Sequence, residues 1–131
     1  MKKVAFVCVH NSCRSQMAEG FAKVYGQGVL EVYSAGTENY PEVKPLAVQV
    51  MAEAGVSLDD QYPKLLDDIP VPDILITMGC NATCPWVPNE HQEDWGLDDP
   101  SGQGIEAFRV TRELIKQKVL ELIERVQTNT L

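Results

Sequence analysis

The sequence is poor in cysteine, in basic residues and in long apolar runs, and each shortage excludes something. Four cysteines in 131 residues are too few for a disulfide scaffold, where cysteine exceeds roughly 8%. Lys and Arg total 11 against 19 Asp and Glu, for a formal net charge of −8. That balance argues against nucleic acid or an anionic membrane surface as partner, since both are bound through clustered cations. The apolar run at residues 4–9 falls far short of the roughly 18 residues of a membrane span. The polar His10-Asn11-Ser12-Cys13 that follows it offers no small-residue cleavage site of a signal peptide. A cytoplasmic location is expected, where thiols stay reduced and each cysteine is core, metal ligand or chemistry. Apolar residues at 44% and charged residues at 23% are ordinary globular usage. The length suits one domain over residues 1–131.

Residues 4–9 form a continuous apolar run rich in β-formers, which predicts a strand buried on both faces. Residues 15–25 carry Met17, Ala18, Phe21, Ala22 and Tyr25 at helical spacing, with Gly26 as a stop. Residues 30–34 alternate as a strand and close on Ala35-Gly36. Residues 45–54 predict a helix with Pro45 in its first turn and Gly55 after its end. Residues 59–72 read as loop with one helical turn, and 73–78 as a second buried strand. Residues 79–104, with both tryptophans among several Gly and Pro, read as one long irregular segment; such loops are usually functional. Residues 105–127 form an amphipathic helix with Phe108, Ile115, Val119, Leu122 and Val126 on one stripe. Strands alternating with helices imply an α/β fold with a parallel sheet covered on both faces. Ligands of such sheets bind beyond the carboxyl ends of the strands. Cys8 and Cys80 both fall there, so they can face each other across one crevice.

The first junction reads Cys8-Val9-His10-Asn11-Ser12-Cys13-Arg14-Ser15. A loop between a strand end and a helix N-terminus points several backbone N–H groups at one spot, which makes an anion site of Val9 through Arg14. Arg14 adds a planar fork for a tetrahedral oxyanion. The same positive field favours the nucleophilic thiolate form of Cys8, and Ser15 can donate a hydrogen bond to it. The anion is thus held where a nucleophile can attack. His10 has no carboxylate partner legible in the sequence and reads as a bystander at the rim.

The second cluster is Gly79-Cys80-Asn81-Ala82-Thr83-Cys84-Pro85. Three readings are open. The pair can be packing, which the polar spacer disfavours. It can bind metal together with His91 and Cys13, but the spacing matches no common zinc pattern. It can be a redox pair on a loop that lets two sulfurs approach, which is the preferred reading. No resident metal is expected.

The junction resembles the phosphate-binding loop of low-molecular-weight protein tyrosine phosphatases. The longer run from Asn11 through Gly20, Ser34-Ala35-Gly36, and Trp95-Gly96-Leu97-Asp98-Asp99-Pro100 are similar to the family's thioredoxin-coupled arsenate reductase branch. The resemblance spans essentially the whole chain. It implies a three-layer α/β/α fold with a four-stranded parallel sheet. It implies arsenate as substrate and phosphate as its analogue, with Cys8 forming a covalent arseno-cysteine. Cys80 would then attack Cys8 and release arsenite, and Cys84 would resolve the Cys8–Cys80 disulfide. An external thiol reductant, thioredoxin or glutaredoxin, would reduce the Cys80–Cys84 disulfide, with no bound cofactor.

By the same resemblance, Asp99 before Pro100 is the general acid and Asp98 is structural. Trp86 and Trp95 either line the pocket or anchor the loop. Cys13 can protect the nucleophile as a disulfide or simply pack beneath it, the latter being favoured. Some relatives hold potassium near residues matching Asn11 and Ser34. Lys64 stands where their aspartate would be, so its ammonium is expected to replace the ion. The three-residue gap between Cys80 and Cys84 is shorter than usual in thioredoxin-coupled relatives, which leaves the reductant open. The alternative function is hydrolysis of phosphomonoesters through a Cys8 phosphocysteine; a third reading is a metal- or redox-sensing module built on Cys80, Cys84 and His91. The protein is taken as a monomer.

Overall fold

The computed structural model describes residues 1–79 and 87–131. The elements run β1 (Lys2–Cys8), α1 (Arg14–Tyr25), β2 (Leu30–Gly36), α2 (Pro45–Glu53), a one-turn 3-10 helix (Leu66–Asp68), β3 (Ile74–Thr77), β4 (His91–Asp94) and α3 (Ile105–Gln127). All four strands are parallel, in the order β2-β1-β3-β4. The chain leaves β1 toward β2 on one side and returns to β3 on the other. That reversal opens a crevice beyond the carboxyl ends of β1 and β3. Cys8 pairs with Gly36 at the last position of its ladder, and Val7 pairs with Thr77.

Val4 through Val7 are buried at 1% exposure or less, so the apolar run of β1 meets a covered surface on each side. Val4, Phe6, Ile74 and Ile76 face the larger core, which Met17 and Phe21 of α1, Val50 and Met51 of α2, and Phe108, Ile115 and Leu122 of α3 complete. Ala5, Val7 and Leu75 face a thinner layer made by Leu66, Ile69 and Val87. Each fully buried large aliphatic or aromatic side chain contributes about 1.5–3 kcal/mol, so most of the stabilisation lies on the helix-rich face.

The apolar pattern of the sequence reveals three strands and reads residues 79–104 as irregular. The structure places a fourth strand inside that segment. β4 reads His-Gln-Glu-Asp and alternates between half-buried and exposed positions. It pairs through main-chain hydrogen bonds in the register Ile74↔His91 to Thr77↔Asp94. An edge strand needs only one apolar neighbour, and charges on it discourage pairing with another chain. Glu93 explains how this polar strand is fastened. Its carboxylate accepts both Arg125 amino groups at 2.9 Å, Trp95 Nε1 at 2.8 Å, and shares a 2.7 Å contact with His91 Nε2.

Candidate active site

The loop after β1 is built so that its carbonyls point outward. Val9 O accepts from the amides of Thr37 and Glu38, both at 2.9 Å. Asn11 O accepts Gln16 Nε2 at 2.9 Å. Ser12 O accepts the Lys44 amide at 2.7 Å, and Cys13 O the Met17 amide at 2.9 Å. A trans peptide directs its N–H opposite to its C=O. The amides of His10, Ser12, Cys13 and Arg14 therefore turn inward, which makes a concave nest for an anion. Asn11, with φ 53°, supplies the turn of hand; Asn tolerates this left-handed conformation better than most residues. Asn11 is fully buried, and its side chain is held by Gln16 Nε2 at 3.0 Å and the Lys64 amide at 2.9 Å, both on Oδ1.

Gly36 lets β2 approach this loop. A Cβ at Gly36 would lie 2.7 Å from Val9 O, 2.9 Å from His10 C and 3.0 Å from Asn11 N. All three are main-chain atoms that no rotamer change can move aside, so Gly is required there.

Cys8 Sγ lies 2.8 Å from Ser15 Oγ, and Asn11 Nδ2 donates to the same oxygen at 2.8 Å. Either group can donate in the Cys8–Ser15 contact, and toward a Cys8 thiolate, which has no proton, the Ser15 hydroxyl is the donor. Arg14 begins α1 and is 8% exposed. Its Nη1 donates to Met78 O at 2.8 Å and to Leu97 O at 2.7 Å. The guanidinium carries three further N–H groups, on Nε and Nη2, for a bidentate grip. Gly79, at φ +110°, fits against this clamp; a Cβ there would meet Leu97 O at 2.9 Å and Arg14 Nη1 at 3.4 Å.

Asp99 reaches the same place from the far end of the chain. Its Oδ1 accepts the Ser101 amide at 3.0 Å. Burial acts to raise its pKa, but the Ser101 hydrogen bonds and the Arg14 and Lys44 charges outweigh it and hold the carboxyl below its usual value. Cys13 is buried, and burial above all, with Asp99 and Cys8 adding, pushes its thiol far up, against the pull of Arg14 and Lys44. It is therefore an unreactive thiol at neutral pH. A thiol in contact with a hydroxyl, an inward-facing amide nest and a guanidinium fork thus meet at the end of β1, and the Asp99 carboxyl is coupled electrostatically to that guanidinium. The set suits nucleophilic attack on a tetrahedral oxyanion.

The profile of the low molecular weight phosphotyrosine protein phosphatase family matches residues 3–131. The chain belongs to that family. A curated relative, the glutaredoxin arsenate reductase of Synechocystis sp., is 43% identical over 96% of this chain and 99% of its own length. A solved structure described as an arsenate reductase in the phosphate binding state superposes with a TM-score of 0.89 at 44% identity, covering 96% of this chain and 99% of that one. A thioredoxin-dependent arsenate reductase of Corynebacterium glutamicum gives 0.82 at 35% identity, over 98% of this chain and 63% of that one. The four-stranded parallel sheet is the family fold that the sequence motifs implied.

The structure decides three points that the sequence left open or read otherwise. His10 is not without a carboxylate partner: its Nε2 lies 3.3 Å from Glu38 Oε1, and its ring packs tilted against Tyr40, with centroids 4.8 Å apart. The sequence hid this because the partner comes from the loop after β2. Trp95 is a core anchor, 7% exposed and 5.7 Å from the Phe6 ring. His91 starts β4 beside Ile74, at the end of the sheet opposite to Cys8, and engages Glu93. Cys80, Cys84 and Trp86 lie outside the described residues.

Sequence reasoning missed Gln16, Gln61, Glu19 and Lys44. Gln61 Nε2 donates to Gln16 Oε1 at 2.8 Å, and so stiffens the residue that braces Asn11. Glu19, 4% exposed, accepts the Ser34 hydroxyl and lies 2.5 Å from Lys23 Nζ and 3.6 Å from Lys64 Nζ. For Gln16 and Glu19 the sequence signal was polarity on the buried stripe of α1, while Gln61 and Lys44 lie outside that helix and carried none.

Proposed function

We propose that the chain is an arsenate reductase working through a Cys8 thiolate and a three-cysteine relay. The observation that carries this reading is the Cys8–Ser15 contact of 2.8 Å inside an outward-carbonyl loop closed by Arg14. Arsenate binds with its oxygens on the loop amides and the Arg14 fork. The Cys8 sulfur attacks arsenic, and an oxygen leaves as water after taking a proton from Asp99 or from the bound anion. The Ser101 hydrogen bonds hold Asp99 low first, and the arriving anion opposes only the further pull of Arg14 and Lys44, which acts in the direction of protonating the carboxyl.

Cys80 then attacks Cys8 sulfur, and the As–S electron pair passes to arsenic. Arsenite departs and a Cys8–Cys80 disulfide remains. Cys84 attacks Cys80, which frees Cys8 as thiolate. An external dithiol reduces the Cys80–Cys84 disulfide, as the names of glutaredoxin- and thioredoxin-dependent relatives suggest. Two electrons enter from the thiols and two reduce As(V) to As(III), so the cycle balances. The enzyme acts as a single-domain cytoplasmic monomer. The Lys64 ammonium, 3.6 Å from Glu19 and 2.8 Å from Tyr62 O, takes the place of a potassium ion.

The second reading is hydrolysis of phosphomonoesters through a Cys8 phosphocysteine, which the family match favours. Phosphate transfer needs no second cysteine. NADPH oxidation with arsenate, thioredoxin and thioredoxin reductase, with a parallel glutathione–glutaredoxin arm, separates the two. Cys8→Ser, Cys80→Ser and Cys84→Ser are each expected to abolish turnover with arsenate. Cys84→Ser is expected to accumulate the Cys8–Cys80 disulfide, visible by mass spectrometry. Normal arsenate turnover by both Cys80→Ser and Cys84→Ser would end the relay. Turnover of an aryl phosphate with no arsenate reduction by either reductant would favour the phosphatase.

A further inference from the structure

The chain carries a net charge of −8, yet its site is built for a small multivalent anion. The cations near the site differ in what they can reach. Arg14 is 8% exposed and spends Nη1 on two carbonyls beneath the loop. His10 is engaged with Glu38 and Tyr40. Lys64 is turned to Glu19 and the Tyr62 carbonyl. Lys44 is different. Its main-chain amide is bolted to the loop at Ser12 O, 2.7 Å away. Its Nζ donates to the Tyr40 hydroxyl at 2.5 Å and sits 4.6 Å above the Tyr40 ring. Tyr40 in turn packs, tilted, against His10 of the same loop. Lys44 is half-buried, so its ammonium meets solvent.

The charge of Lys44 reaches the reacting groups. Asp99 is held low in part by Lys44, and the Cys13 thiol, one residue before Arg14, feels it too. The Tyr40 hydroxyl first of all, with Asp99 and Cys13 adding, keeps the Lys44 ammonium above its ordinary value despite some burial. Lys44 therefore keeps its charge, on a residue pinned to the loop by its amide at Ser12 O and held at its tip by Tyr40.

We infer that Lys44, positioned by Tyr40, is the recruiting cation of the Cys8 loop: it meets the tetrahedral oxyanion in solvent and raises its affinity for the nest, where the Arg14 fork already stands. This rests on the reading of the Cys8 loop as an oxyanion site. The rest of the surface repels a dianion, and beyond about 8–10 Å that repulsion is screened by salt, so a cation at the mouth governs the final approach. Lys44 is a binding residue, Tyr40 positions it, and neither takes part in bond making.

Inorganic phosphate is the probe, because its binding needs neither reduction nor Cys80 and Cys84. At low ionic strength, Lys44→Met should bind phosphate about fivefold to tenfold more weakly than wild type. The gap should narrow at about 0.5 M salt, where charge is screened. Lys44→Arg should bind within about twofold of wild type, since it restores the cation. With arsenate, Lys44→Met should raise KM by the same factor while kcat stays within about twofold.

Equal phosphate affinity of wild type and Lys44→Met at low salt would overturn the inference. So would a weakening that persists undiminished at high salt and is not restored by Lys44→Arg, because that marks a structural role. A wild type that bound phosphate but reduced no arsenate would overturn the reductase reading instead, while the phosphate measurements would still decide Lys44.

Discussion

Cys8 Sγ and Ser15 Oγ stand 2.8 Å apart, joined across the first turn of α1. The Ser15 oxygen also accepts from Asn11, and toward a Cys8 thiolate the hydroxyl is the donor. A hydrogen bond to a charged acceptor is worth about 1.5–3 kcal/mol. Ser15→Ala should therefore slow alkylation of Cys8 by iodoacetamide at neutral pH about tenfold to a hundredfold, with phosphate affinity less affected. Alkylation at the wild-type rate would mean that the loop amides and Arg14 suffice to stabilise the thiolate.

Gly36→Ala tests the close approach of β2 to the loop. The added Cβ meets three main-chain atoms within 3.0 Å. Overpacking of this kind costs about 1–3 kcal/mol. Urea unfolding should show that loss, and phosphate binding should weaken with it, because the loop must move outward to make room. Unchanged stability and affinity would mean that the loop is softer than this packing implies.

The Glu93–Arg125 clasp predicts a pH-dependent stability. Burial acts to raise the Glu93 pKa, but hydrogen bonds from Arg125, His91 and Trp95 outweigh it and bring it from an ordinary 4.5 down to about 2. A carboxyl depressed on folding stabilises the native state above its unfolded value. That contribution is present above about pH 4.5 and fades as pH falls toward 2. Glu93→Gln should cost about 1–3 kcal/mol at pH 7, and the two proteins should converge near pH 2. A constant difference across that range, measured by denaturant unfolding, would assign the loss to packing.

Lys64 predicts indifference to potassium. Its ammonium lies beside the buried Glu19 carboxylate, which also accepts Ser34. Arsenate turnover should be equal in potassium and sodium chloride of the same ionic strength. Lys64→Met should cost about 1–3 kcal/mol, because it removes one of two cations from a buried charge. A rate that rises with potassium alone in the wild type would show that the ion binds after all.

Legibility in the sequence followed the range of the interaction. The 4–9 run, the stripe at Met17 and Phe21 and the long helix from Ile105 carry their pattern within a few residues, and the structure places β1, α1 and α3 there. Strand β4 escaped because its identity lies in its ladder with β3, and its residues His91 to Asp94 carry no apolar alternation. Trp95 and Lys44 escaped for a related reason. Whether a tryptophan anchors or lines a pocket depends on Phe6, 5.7 Å away in space and far away in sequence.

The sequence by itself determined the α/β class, the strand-to-helix junction and the identity of the residues from Cys8 to Ser15, because a strand end, a turn and a helix start are local events. Only the tertiary structure decided how that junction becomes a site. The loop carbonyls are turned outward by Thr37, Glu38, Lys44 and Gln16. The Arg14 fork is set by the carbonyls of Met78 and Leu97, 64 and 83 residues away. A short loop cannot satisfy its own carbonyls while presenting its amides to an anion. Gln16 and Met17 supply two partners from the adjoining helix, but Thr37, Glu38 and Lys44 come from distant segments, and no local pattern in the chain encodes which ones arrive.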